Sequence, residues 1–96
     1  MSGSLTVALA QFNPTVGDIG GNRRRLSELR GDAGDCDLVI SGELGLCGYP
    51  PEDLVLKRAF QEQIRAAVES LARETADGGP AMLIGAPWLV DGSLYN

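Results

Sequence analysis

The 96-residue chain has no histidine and a single lysine, Lys57. Without histidine, Ser-His-Asp and Cys-His nucleophilic pairs and all histidine-based metal sites are excluded from any active site lying wholly inside these residues. Cysteine is scarce as well. Cys36 and Cys47 are too few and wrongly spaced for a zinc cluster or a Cys-x-x-Cys redox motif, so two reduced thiols in a reducing, cytoplasmic compartment are expected. No apolar run approaches the roughly 18 residues of a membrane span. The N-terminal Met1, Ser2, Gly3, Ser4 lacks the basic and apolar regions of a secretory signal. Positive charge is also in short supply: the net charge is −5. The one basic cluster, Arg23, Arg24 and Arg25, reads as a solvated helix face, which argues against a nucleic-acid or anionic-membrane partner.

What is present suffices for one small domain at most, with 44% apolar residues to build its core. The run at 5–10, Leu-Thr-Val-Ala-Leu-Ala, is almost unbroken in apolar character and predicts a central strand covered on both faces. Turn residues follow at 13–18. Asp18 or Asn22 can then cap a helix that turns Ile19, Leu26 and Leu29 to the core and stops in the stretch 31–35. A second short strand is expected at 36–41. Pro51 suits the first position of a short helix, with Glu52 and Asp53 complementing its N-terminus. The clearest amphipathic helix carries Phe60, Ile64, Ala67, Val68 and Leu71 opposite Gln61, Arg65, Glu69 and Arg73, and Gly78-Gly79-Pro80 terminates it. A third apolar strand at 81–86 leads to Pro87 and Trp88, a turn at Asp91-Gly92, and the start of another strand at Ser93. Alternating strands and helices predict an α/β fold with right-handed crossovers and a largely parallel sheet. The sheet edge and its helix-free face are left poorly protected, so residues 1–96 read as an incomplete part of a larger domain.

One acid stands out. Glu43 lies just past the apolar stretch Leu38-Val39-Ile40 and before a rigid Tyr49-Pro50-Pro51 turn, at the C-terminal end of a buried strand, where side chains of α/β enzymes converge on a cleft. Its competing reading is a solvated or salt-bridged acid. Cys47, four residues on, reads as an inert buried thiol. Lys57 reads as a solvent-facing residue, so a local triad of Glu43, Cys47 and Lys57 is rejected. Tyr49 either lines a pocket or packs its ring beside Pro50 and Pro51. The glycine-rich stretch 17–21 fits neither phosphate-loop pattern and reads as a structural turn. Trp88 and Phe60 read as core.

Three segments carry a resemblance to a known family. They are Ala10-Gln11-Phe12-Asn13-Pro14-Thr15-Val16-Gly17-Asp18 with Asn22; Glu43-Leu44 through Gly48-Tyr49-Pro50-Pro51-Glu52-Asp53-Leu54; and Gly85-Ala86-Pro87 with Tyr95-Asn96. In order and spacing they resemble the nitrilase, or carbon-nitrogen hydrolase, superfamily. The Gly-Tyr-Pro-Pro-Glu-Asp-Leu motif is most similar to the branch formed by the N-terminal glutamine amidase domains of glutamine-dependent NAD+ synthetases. The resemblance implies an αββα sandwich, of which this chain is the N-terminal part, and a Glu-Lys-Cys site that hydrolyses glutamine to glutamate and ammonia. Only the Glu is here: it matches Glu43, with the implied role of general base. Tyr49 is a candidate for glutamine binding.

The resemblance further implies a soluble cytoplasmic homo-oligomer whose partners are the rest of the amidase domain and a C-terminal synthetase domain. That domain would use ATP and Mg to amidate deamido-NAD+, and no cofactor is assigned to residues 1–96. Alone, the segment is expected to be inactive. The rivals are a stand-alone amidase or carbamoylase of the same superfamily and a noncatalytic assembly module; a downstream Ser-Gly-Gly-x-Asp-Ser loop, or its lack, separates them. Two departures from the family pattern are Gly42 in place of Pro, expected to loosen the turn that holds Glu43, and Cys47 in place of Thr. The Tyr95-Asn96 pair is read as structural.

Overall fold

The computed structural model describes residues 3–96; Met1 and Ser2, part of the segment read above for a secretory signal, lie outside the described residues. The elements run β1 (Val7–Ala10), α1 (Ile19–Asp32), β2 (Leu38–Ser41), a 3-10 helix (Glu52–Leu56), α2 (Arg58–Glu74), a 3-10 turn (Thr75–Asp77), β3 (Ala81–Leu83), β4 (Trp88–Val90) and β5 (Ser93–Tyr95). Strands β1, β2 and β3 form a parallel sheet in that order, and β4 pairs with β5 in a separate antiparallel hairpin. Parallel neighbours laid down in chain order require crossovers of one sense, which place α1 and α2 on the same face of the sheet. The two helices pack on each other there.

The sheet departs from the expectation for its first strand. β1 lies at an edge of the described sheet, and β2 takes the centre. Crossovers of one hand carry each new strand outward, so the first strand in the chain ends up at the margin. Its apolar run has a different cause: both faces of β1 are apolar, but this chain covers only one of them. Ala10 is buried, whereas Leu5, Val7 and Leu9 are 68%, 39% and 67% exposed. Register carries the bare face across the sheet, because Leu9 is paired with Ile40 and Ile40 with Leu83, and Leu83 is also exposed. The strands themselves are shorter than the apolar runs that announced them.

The core lies between the helices and the covered sheet face, and its members include Ile19, Leu26, Leu46, Phe60, Ile64, Ala67 and Leu71. In α2 the buried residues Phe60, Ile64, Ala67 and Leu71 fall at the four- and three-residue steps that align one helix face. Val68 flanks them, half-buried. The α1 helix is different. Asp18 caps it by accepting from the Gly21 N–H at 3.1 Å, and its buried positions are Ile19, Asn22, Leu26 and Arg30. Leu29, assigned to the core from sequence, is only half-buried, and Arg30 takes the place expected of it. That burial is tolerated because the guanidinium is fully engaged. Its Nε donates to the Pro80 carbonyl at 2.8 Å, and Nη1 and Nη2 grip both oxygens of Asp77 at 3.0 and 2.6 Å. The clamp ties α1 to the end of α2 and to the entry of β3. There Gly78, at φ 83°, turns the chain through the left-handed region that a glycine adopts without penalty. Pro51 precedes the 3-10 helix as its cap rather than occupying its first position.

Candidate functional site

β2 ends at Ser41, and the chain then makes a tight loop through Gly48 that carries Glu43. The loop is bound to the scaffold at several points. Internally, Gly45 N–H donates to Gly42 O at 3.2 Å and Gly48 N–H to Leu44 O at 2.8 Å. Externally, Leu46 N–H donates to Gly85 O at 3.3 Å, and Gly17 N–H donates to Cys47 O at 2.9 Å. Asn22 adds a third anchor from inside α1. Its side-chain amide donates to Leu46 O at 3.1 Å and Thr15 O at 2.9 Å, and its Oδ1 accepts from Thr15 N–H at 2.9 Å. A buried Asn with these bonds is fully employed, so it stitches three segments together rather than capping the helix. Of the two caps the sequence allows, Asp18 and Asn22, the structure uses Asp18.

Two glycines allow this close packing. A Cβ at Gly85 would sit 2.5 Å from the Leu44 backbone nitrogen, and one at Gly48 would sit 2.7 Å from the Val16 Cα, with Gly48 itself at φ 82°. In both places backbone presses on backbone. Gly42 is not such a position: it has open space where a Cβ would be, and its φ lies outside the left-handed region. With no proline at this position, the turn is closed by the Gly45 to Gly42 hydrogen bond.

The anchored loop presents an exposed Glu43 at its start while burying Leu44, Leu46 and Cys47 beneath it. Among the described residues the side-chain partner of Glu43 is Asn96, whose Nδ2 donates to Glu43 Oε1 at 2.8 Å. Cys47 is 0% exposed and its thiol faces the Leu44 and Gly48 carbonyls at 3.8 and 3.3 Å. Burial pushes this thiol up from its ordinary value, so it is poorly suited to form a thiolate. Lys57 is exposed at the start of α2, capping it without a side-chain bond. Tyr49 is 65% exposed, so within this segment its ring is not the packed element that one reading made it. The structure thus joins Glu43 to Asn96, a residue that sequence reading treated as structural. The signal was there: Tyr95-Asn96 belonged to the third matching segment.

The hairpin that delivers Asn96 is itself fixed. Asp91 and Gly92, at φ 49° and 79°, form the tight turn expected between β4 and β5. Arg65 of α2 stacks its guanidinium 4.3 Å from the centre of the Trp88 ring and donates through Nη2 to the Leu89 carbonyl at 3.2 Å. Trp88 is therefore half-buried, packed against the core cluster and covered by a cation. Among the described residues, no group of three or more His, Cys, Asp or Glu is arranged to hold a metal ion, and no helix is long and apolar enough to cross a membrane.

Comparison with known proteins gives a consistent result. No family model matches the chain. A glutamine-dependent NAD(+) synthetase of Synechocystis is 43% identical over 82 residues, covering 83% of this chain and 14% of that protein. One from Rhodobacter capsulatus is 40% identical, covering 100% of this chain and 18% of that protein. Among solved structures, the Acinetobacter baumannii glutamine-dependent NAD+ synthetase, determined with ADP, superimposes with a TM-score of 0.84 at 34% identity, over 96% of this chain and 18% of that one. The enzyme of Cytophaga hutchinsonii, at 24% identity and a TM-score of 0.79, shares the fold. The chain thus spans less than one fifth of the length of these relatives. By sequence and by fold, it is homologous to a segment of the glutamine-dependent NAD+ synthetases.

Proposed function

We propose that residues 1–96 form part of a nitrilase-type glutamine amidase domain, and that Glu43 is its general base. The observation that supports this reading most is the position of Glu43: an accessible carboxylate on a loop pinned at its far side by Asn22, Gly17 and Gly85, at the C-terminal end of the central strand. A base must stay within reach of the proton it abstracts, and a loop fixed at this many points keeps it there.

In the proposed reaction the Glu43 carboxylate takes the proton of a cysteine thiol supplied by the remainder of the domain. The resulting thiolate attacks the side-chain amide carbon of glutamine, while a lysine, also from outside this segment, stabilises the oxyanion. As the C–N bond breaks, Glu43 returns the proton to the leaving nitrogen and ammonia departs. Water then attacks the thioester: Glu43 accepts the proton of that water and passes it to the departing cysteine sulfur, releasing glutamate and restoring the thiol and the carboxylate. The ammonia serves a synthetase domain that amidates deamido-NAD+; ATP and Mg belong to that domain, and no residue of this segment is assigned to them. Tyr49, exposed and mounted on the following turn, remains the candidate for contact with glutamine. A cytoplasmic homo-oligomer is the setting this reading implies.

The test uses the full-length protein that carries this segment. Glu43→Ala abolishes NAD+ synthesis supported by glutamine but spares synthesis supported by added ammonia, since only amide hydrolysis requires the base. Survival of both activities would remove Glu43 from the chemistry.

A further inference from the structure

We infer that Asn96 is a positioning residue for Glu43, an inference that rests on the general-base reading above. The hydrogen bond from Asn96 Nδ2 to Glu43 Oε1, at 2.8 Å, spans 53 positions of sequence and joins the loop after β2 to the residue that follows β5. A long-range side-chain bond between two exposed residues persists only where both ends are held. Here both are. The Glu43 loop is fastened to Gly85, Gly17 and Asn22, and the hairpin is fastened to α2 by Arg65, through the Trp88 ring and the Leu89 carbonyl.

The chemistry of the pair gives the bond its purpose. A carboxylate accepts hydrogen bonds and an amide NH2 donates them, so the contact favours one rotamer of Glu43 without contributing a competing charge. Because the donor engages Oε1, Oε2 is left as the oxygen free to receive the thiol proton. The contact made by the Asn96 amide is with the Glu43 carboxylate, so its effect on the reaction is exerted through that group. The hairpin then has a function beyond pairing two short strands: it brings an amide to the base from the far end of the segment.

Kinetics of the full-length protein test the inference, with glutaminase kcat and KM measured separately and thermal unfolding as the check on folding. Misplacing a catalytic group by about 1 Å costs up to about 100-fold, so Asn96→Ala is expected to lower kcat by about 10- to 100-fold with KM for glutamine unchanged. Asn96→Asp keeps the shape of the side chain but replaces the donor with an acceptor, and is expected to lose at least as much. If Asn96 were merely a packing residue, the isosteric Asp would restore kcat. Wild-type kcat in Asn96→Ala, or recovery in Asn96→Asp, alongside an inactive Glu43→Gln, overturns the positioning role and leaves the base assignment standing. Undiminished turnover in Glu43→Gln overturns the base assignment, and the role of Asn96 with it.

Discussion

At the scale of single residues, the chain assigns its few polar interior groups to fastening rather than chemistry. Among the described residues the buried polar side chains are Arg30 and Asn22, and each reaches across the fold to a carbonyl of another segment. The Arg30 clamp makes a pH prediction. The hydrogen bond from Arg30, aided by the Gly79 N–H, holds the Asp77 carboxyl down from 3.8 to about 2. A carboxyl depressed in the folded state stabilises the fold while ionised, so its contribution is complete above 3.8 and lost as pH falls through about 2. Thermal unfolding should therefore show Asp77→Asn less stable than wild type at neutral pH, with the gap closing as the solution is acidified through that window. A gap that persists unchanged at the acid end would mean that the ion pair is not its source. Neither partner was legible as such. Arg30 falls on the α1 core stripe, and amphipathic patterning assigns such positions to apolar residues such as Leu29.

At the scale of elements, the loop from Gly42 to Gly48 shows which glycines are required and which are not. Gly48→Ala would drive a Cβ into the Val16 backbone at a left-handed φ, and should cost more than the roughly 1–2 kcal/mol of the backbone conformation alone. Gly42→Ala meets nothing and should instead add about 0.4–1 kcal/mol by restricting the unfolded chain. Chemical denaturation of the two variants checks both signs; equal effects would mean that the loop is not held as described. The elements themselves were largely readable. The α2 face from Phe60 to Leu71, the Asp91-Gly92 turn and the stop at Gly78 follow from periodicity and turn chemistry, which are local properties. Strand order was not, since it depends on crossovers that the sequence of any single strand does not encode.

At the scale of the whole molecule, one sheet face is covered by two helices and the other is bare and apolar, with Leu5, Val7, Leu9 and Leu83 exposed across it. Apolar surface of this kind drives association. The isolated 96-residue chain is therefore expected to self-associate and to bind an apolar dye, as read by sedimentation and fluorescence, and a monodisperse monomer without dye binding would contradict this. The same bare face is of the kind that a second sheet layer covers in an αββα sandwich. Sequence alone determined the α/β alternation, the apolar strands, the amphipathic α2 and the placement of Glu43 at a strand end, because each is written in residues close together in the chain. Only the tertiary structure decided that β2 is central, that Arg30 is buried and that Asn96 meets Glu43. These are contacts between distant segments, and they exist only once crossovers, anchored loops and a fastened hairpin have brought those segments together.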